Sequence, residues 1–96
     1  MSDVIKAAVE ALSKRMAEGF SDGVAKFVIE GEGAIMIDDS GVRAGDEEAD
    51  VTLTAASDVF EQILGGDLDP TAAFMSGRLS VDGDMGLAMK LGSALA

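Results

Sequence analysis

The stretch that decides the fold is DLDPTAAFMSGRLSVDGDMGLAMKL, residues 67–91, because it holds start and stop signals for several elements. Asp69 followed by Pro70 is typical of a helix N-terminus, where the aspartate caps the helix and proline fits its first position. Gly77 is a typical stop signal. The sequence therefore predicts a short helix over residues 71–76.

A strand and a second helix are expected in the same stretch. Leu79 and Val81 alternate with polar residues, which places two apolar side chains on one face of a strand. Gly83 ends this strand, and Asp84 is placed to cap the last helix of the chain.

The last helix has two apolar faces. At about 100° per residue, Met85 and Met89 share one face, while Leu87, Leu91 and Leu95 share the opposite one. One face can pack on a sheet. The other must be covered by a second element, another subunit or an apolar ligand, because an exposed Met pair would form a hydrophobic patch in water.

Residues 49–91 carry a family resemblance. The segments concerned are ADVTLT at 49–54, Phe60, Leu64, Gly66, DP at 69–70, AFMSGRL at 73–79 and GDMGLAMKL at 83–91. They resemble the sterol carrier protein 2 family of lipid-binding domains. The resemblance implies a five-stranded, mostly antiparallel sheet flanked by helices, enclosing an apolar tunnel for fatty acids, acyl-CoAs, phospholipids or sterols.

The remaining pattern predicts an α+β fold in a single domain over residues 1–96. Apolar residues at helical spacing predict a first helix that Ser2 caps and Gly19 ends. Ser57 is expected to cap a second helix, which Gly65 and Gly66 end. Four strands, arranged largely as a meander with a glycine-supported first hairpin, are predicted over residues 24–30, 34–38, 42–44 and 51–55.

Composition argues against several function classes. A net charge of −11 without a basic run makes nucleic acid an improbable partner and disfavours anionic membranes. The absence of His and Cys removes the usual zinc ligands and the usual catalytic bases and thiols, so we expect no metal, no cofactor and no enzymatic activity. No apolar run is long enough to span a membrane, so we expect a cytoplasmic protein without stable membrane insertion.

We therefore expect a non-catalytic carrier of apolar lipids. Met is flexible and the chain has no Trp or Tyr, so a Met-lined wall is expected to suit linear acyl chains better than cholesterol. Arg78, at an element boundary, is a candidate partner for a lipid carboxylate, or else a surface charge that offsets the acidic excess. The expected lining residues are Phe60, Ile63, Leu64, Phe74, Met75, Met85 and Met89.

Two other functions remain open at this point. The Met face of the last helix could close a homodimer or dock an enzyme of lipid metabolism. An accessory role in acyl-CoA chemistry would need cationic side chains near the tunnel, for which the candidates are Lys26, Arg43, Arg78 and Lys90.

Overall fold

The structure, a computed structural model, describes residues 3–17 and 19–95. Within these residues the chain forms four helices and one five-stranded sheet, which confirms the predicted α+β class. The predicted cap at Ser2 lies outside the described residues. The elements in chain order are α1 (Asp3–Arg15), β1 (Ala25–Ile29), β2 (Gly33–Asp38), β3 (Gly41–Ala44), β4 (Val51–Ala55), α2 (Ser57–Leu64), α3 (Pro70–Met75), β5 (Leu79–Gly83) and α4 (Met85–Leu95).

The sheet has the strand order β3-β2-β1-β4-β5. Three of its four strand pairs are antiparallel, and β1, β2 and β3 form the predicted meander. The meander does not continue to β4, which lies parallel to β1 with Leu53 opposite Phe27. The predicted arrangement, largely a meander, is confirmed for β1, β2 and β3 and fails only for β4, because alternation shows which face a side chain takes and not which strand is the neighbour.

The main core lies between the helices and one face of the sheet. Alternate residues of β1 and β4 are fully buried there, and the ring of Phe60 from α2 meets that of Phe27 edge-on, with centroids 4.4 Å apart. On the opposite face, Thr52 and Thr54 are only half-buried, as the alternating pattern predicts. Met36 of β2 is buried on that face, where Gly45, the residue after β3, lies against its side chain.

Helix α3 begins and ends as its sequence predicts. Asp69 Oδ2 accepts a hydrogen bond from the backbone N–H of Ala72 at 3.3 Å, and Pro70 occupies the first helical position. At the other end Gly77 has a φ of +79°, and the N–H groups of Gly77 and Arg78 donate to carbonyls of the last turn. A positive φ favours glycine, so the stop at this position follows from backbone geometry.

Helix α2 begins differently from the prediction. Its N-cap is Ala56, no side chain caps it, and Ser57 is instead the first helical residue. The predicted stop is confirmed, because Gly65 is the C-cap and Gly66 follows with a φ of +81°.

The turn from β5 into α4 is held against the loop before β4. Gly83 has a φ of +106°, and a Cβ added there would lie 2.4 Å from the carbonyl oxygen of Asp50. The backbone N–H of Asp84 donates to the same oxygen at 3.0 Å, and Asp84 Oδ1 accepts from the N–H of Leu87 at 3.2 Å. The predicted helix cap is therefore confirmed, and the close backbone approach requires glycine at position 83.

One arginine ties together the ends of two helices. The guanidinium of Arg15, the last residue of α1, donates to the carbonyl oxygens of Leu64 in α2 and Leu95 in α4. Both oxygens belong to helix C-termini, where carbonyls lack intrahelical partners and a positive charge is favourable. Arg15 thus fixes three helices relative to one another.

Candidate functional site

An apolar cavity of about 200 Å³ opens between α3, α4 and the β4–β5 side of the sheet. Thr71 is the only residue with a polar side chain among the described residues of its wall. Such a wall offers almost no hydrogen-bonding group, so it suits a hydrocarbon and not a polar ligand. The lining residues are Leu53, Pro70, Thr71, Phe74, Met75, Leu79, Val81, Met85, Ala88, Met89 and Gly92.

The floor of the cavity comes from the sheet. Leu53 of β4 stands directly opposite Val81 of β5, and Leu79 lies two residues away on the same face. Strand alternation points these three side chains toward the helices and leaves Ser80 and Asp82 outside. The sheet therefore presents a continuous apolar surface at this end.

The walls come from the two helices. Helix α4 turns Met85 and Met89 toward the cavity, while Leu91 and Leu95 are buried on its other side. Glycine at position 92, which also lines the cavity, leaves space between α4 and Pro70. The two-faced helix predicted from the sequence is thus present, and its Met face borders a cavity.

The large exposed apolar side chains of the described residues gather at this one place. Phe74, Met75, Met85 and Met89 have exposed fractions of 39%, 79%, 46% and 73%, and they are the exposed large hydrophobics of the part of the chain that the structure describes. All four line the cavity. A contiguous exposed apolar surface of this kind is unfavourable in water and usually marks an interaction site.

Three of the predicted lining residues lie elsewhere. The structure does not bring Phe60, Ile63 and Leu64 to this cavity. Phe60 and Ile63 are buried in the main core, and Phe60 packs on Phe27. Phe60 and Leu64 instead border a separate groove of about 210 Å³ between α1 and α2. Helical spacing predicted correctly that these residues face inward, but core and cavity walls require the same spacing.

Arg78 lies between the last turn of α3 and the first residue of β5, two elements that contribute to the cavity. Its side chain is exposed and is not part of the cavity wall. Within the described residues it forms no ion pair. Its position is therefore peripheral to the cavity.

Sequence reasoning missed several lining residues. It placed Leu79 and Val81 on one sheet face without assigning them to the site, and it did not include Leu53 or Ala88 among the lining residues. The signal for Ala88 was available, because this residue follows Met85 by three positions and therefore shares its helix face. The position of β4 beside β5, which brings in Leu53, required the topology.

The charged side chains lie away from the cavity. Lys26 pairs with Asp46 at 2.8 Å on the outer face of the sheet, and Arg43 bonds Asp38 at 2.9 Å. The hydrogen bond from Arg43, together with one from the backbone N–H of Ser40, lowers the pKa of Asp38 below its ordinary value. Two of the four cations considered for an acyl-CoA role are thus engaged on the far side of the sheet.

Within residues 3–17 and 19–95, no group of three or more His, Cys, Asp or Glu side chains is arranged to hold a metal ion. No helix in this part of the chain has the length and apolar character needed to cross a membrane.

The sequence and the fold are both similar to those of known proteins. A family model described as the SCP-2 sterol transfer family matches residues 4–96. Hydroxysteroid dehydrogenase-like protein 2 of Danio rerio is 43% identical over an alignment of 84 residues that covers 79% of this chain and 20% of that protein. The chain thus spans about a fifth of the length of the first curated relatives that it matches.

Solved structures agree with the family match. The crystal structure of Sterol Carrier Protein 2 Like 2 from Aedes aegypti has a TM-score of 0.78 and 23% identity, with 94% of each chain covered. The solution structure of Sterol Carrier Protein 2 from Aedes aegypti in complex with palmitate has a TM-score of 0.76 and 25% identity, covering 100% of this chain and 97% of that one. The arrangement of helices and sheet described above is therefore that of solved sterol carrier protein 2 structures.

Proposed function

Since the chain belongs to the SCP-2 sterol transfer family, we propose that it binds a lipid in the apolar cavity and carries it without making or breaking a covalent bond. One observation carries the proposal: the exposed large apolar side chains of the described residues converge on a single cavity whose wall is almost wholly apolar. A bound hydrocarbon would remove these side chains from water. The palmitate complex of the Aedes relative supports the same assignment.

A linear acyl chain is the ligand that this cavity suits best. Its volume of about 200 Å³ lies below the roughly 300–1,000 Å³ of typical ligand pockets, so a long ligand requires the walls to move. Met75, Met85 and Met89 can move readily, because the unbranched Met side chain adapts its shape at little cost. A rigid sterol ring would need larger displacements, and Phe74 is the one aromatic residue that it meets among the described residues of the wall.

The head group of the lipid is proposed to stay at the mouth of the cavity. A carboxylate cannot be buried cheaply without a donor, and Thr71 is the only described lining residue with a polar side chain. Arg78 stands at the junction of α3 and β5, exposed to solvent and not engaged by the described acidic side chains. We propose that it pairs with the carboxylate of a bound fatty acid.

Affinities for a ligand series test the proposal. Each methylene that enters the cavity contributes about 0.8 kcal/mol, so affinity should rise about fourfold per methylene until the apolar surface is covered. Saturated fatty acids of 8 to 18 carbons, the matching methyl esters and cholesterol are to be compared by calorimetry. Affinity that does not depend on chain length, or tighter binding of cholesterol than of every linear lipid, would contradict the acyl-chain assignment.

The role of Arg78 has its own comparison. Arg78→Ala should weaken the binding of a free fatty acid more than that of its uncharged methyl ester, because only the acid offers a carboxylate to the guanidinium. Equal losses for acid and ester would remove Arg78 from the site while leaving the cavity assignment in place.

A protein-interaction role is the second candidate. It is favoured by the high exposure of Met75 and Met89, and by relatives in which the matching region is about a fifth of a longer protein. In this case the Met face closes a homodimer or contacts an enzyme of lipid metabolism. Native mass spectrometry distinguishes the two: a dimer that dissociates on Met89→Asp, with no lipid bound at any concentration, would favour the interaction role.

A further inference from the structure

The five methionines among the residues that the structure describes fall into two groups by exposure. Met75, Met85 and Met89 line the open cavity with their side chains accessible to water. Met16 and Met36, in contrast, have exposed fractions of 6% and 1%. A small oxidant dissolved in water can therefore reach the first three thioethers while the other two are shielded by packing.

We propose that Met75, Met85 and Met89 form a peroxide-sensitive modification site, and that their conversion to sulfoxides lowers the affinity of the cavity for lipid. The second half of this inference rests on the proposed lipid-binding function. In the reaction the thioether sulfur attacks one peroxide oxygen, the O–O bond breaks, an S=O bond forms and water leaves. Sulfur is oxidised by two electrons, and hydrogen peroxide is reduced to water.

The cavity wall makes the consequence of this reaction large. A sulfoxide is a polar hydrogen-bond acceptor, and an acyl chain that covers it removes it from water without replacing its hydrogen bonds. Thr71 offers the one side-chain hydroxyl among the described lining residues, so it cannot satisfy three sulfoxides. Each sulfoxide covered by the chain should weaken binding by roughly tenfold.

The fold should survive the same modification. In the ligand-free protein the three side chains already meet water, so the new oxygen atoms remain hydrated and the main core is not altered. Oxidation of Met16 or Met36 would instead place a polar group inside packed apolar side chains and would destabilise the protein. Exposure thus separates a change in binding from a change in folding.

A bound lipid should protect the site. An acyl chain that fills the cavity covers the three sulfur atoms, so oxidation in the presence of saturating palmitate is expected to be several-fold slower. The protection should be confined to these residues, since the accessibility of Met16 and Met36 does not depend on the cavity.

The test treats the purified full chain with hydrogen peroxide and follows each methionine by peptide mass spectrometry. Met75, Met85 and Met89 are expected to oxidise well before Met16 and Met36. Palmitate affinity should then fall by tenfold or more while the circular dichroism spectrum and Tm stay near those of the untreated protein. Methionine sulfoxide reductases of both epimer types should restore the affinity.

Two variants assign the effect. The triple variant Met75→Leu, Met85→Leu, Met89→Leu has no thioether at the cavity, so its affinity, whatever its starting value, should not change on peroxide treatment. Met36→Leu keeps the three exposed thioethers and should lose affinity as the unaltered chain does.

Three results would overturn the inference: equal oxidation rates for exposed and buried methionines, unchanged palmitate affinity of the oxidised protein, or a loss of affinity in the triple Leu variant. If the untreated protein binds no fatty acid, the carrier function itself fails and the affinity half of the inference fails with it. The order in which the methionines oxidise would still test whether Met75, Met85 and Met89 form a peroxide-sensitive site.

Discussion

Replacing Met89 with Glu tests the separation between the cavity and the core. Met89 and Leu91 lie two residues apart on α4, yet Met89 is largely exposed at the cavity and Leu91 is 0% exposed on the opposite side. The same helix therefore offers a site variant and a matched core variant, Leu91→Ala. Met89→Gln, which has a similar length without the charge, separates polarity from ionisation.

The expected magnitudes differ for the two positions. An exposed substitution such as Met89→Glu usually changes the free energy of unfolding by less than about 0.5 kcal/mol. Leu91→Ala removes buried atoms and should cost about 2–5 kcal/mol, which lowers Tm by roughly 10 °C or more in a domain of this size. For binding, Met89→Glu removes apolar contact and forces the lipid to cover a carboxylate, so affinity should fall about 100-fold.

The assay combines thermal unfolding followed by circular dichroism with calorimetric titration of palmitate. The affinity of Met89→Gln should lie between those of the unaltered chain and Met89→Glu. If Met89→Glu lowers Tm as much as Leu91→Ala does, Met89 is a core residue and the cavity assignment is wrong. If Met89→Glu remains folded and binds palmitate within twofold of the unaltered chain, the lipid does not occupy this cavity.

Three further predictions concern stability. Gly83→Ala should lower Tm clearly more than Gly41→Ala. Both positions have a positive φ (+106° and +118°) that strains alanine, but only a Cβ at position 83 meets a backbone carbonyl oxygen, at 2.4 Å. Arg15→Lys should cost about 1–2 kcal/mol in chemical denaturation, since lysine keeps the charge but cannot bond two helix C-termini with one fork. The hydrogen bond from Arg43 lowers the pKa of Asp38 in the folded protein. The ionised carboxylate therefore stabilises the folded state in full at pH values above 3.8, its ordinary pKa, and this stabilisation is lost as the pH falls through the lowered pKa of the folded state. The Tm difference between the unaltered chain and Asp38→Asn, measured from pH 6 to 2, should therefore shrink at the acid end; a constant difference would contradict this assignment.

The helix boundaries could be predicted where a single residue type meets a specific backbone requirement. Asp69 and Pro70 begin α3, and Gly77 ends it with the positive φ that glycine tolerates. Ser57 failed as a cap because the chain enters α2 one residue earlier than its polar side chain suggests, at Ala56. Local signals thus predict where a helix begins or ends to within about a residue. Which residue becomes the cap depends on the backbone conformation with which the chain leaves the preceding strand.

The candidate site was only partly predictable for a different reason. Met85 and Met89 could be assigned because the opposite face of α4 already carried enough Leu residues for the core. Helix α2 has a single apolar stripe, so its pattern cannot show whether Phe60 belongs to the core or to a cavity. In the structure this stripe packs on the sheet, and Phe60 contacts Phe27. The contribution of Leu53 depended on β4 lying beside β5, which is a property of strand order and not of local pattern.

The two faces of α4 allow binding and folding to be supported by different side chains. Leu91 and Leu95 are buried and anchor the helix, so the identity of the residues at 85 and 89 is not constrained by the core. Those positions can carry flexible, polarizable side chains. In a core such side chains would specify a unique packing arrangement poorly, but they suit a cavity that must change shape with its ligand. The carboxylates of Asp46 and Asp38 lie on the far face of the sheet, where they pair with Lys26 and Arg43. The cavity thus shares its floor residues Leu53 and Leu79 with the core, whereas the side chains of Met85 and Met89 can change without altering the packing of Leu91 and Leu95.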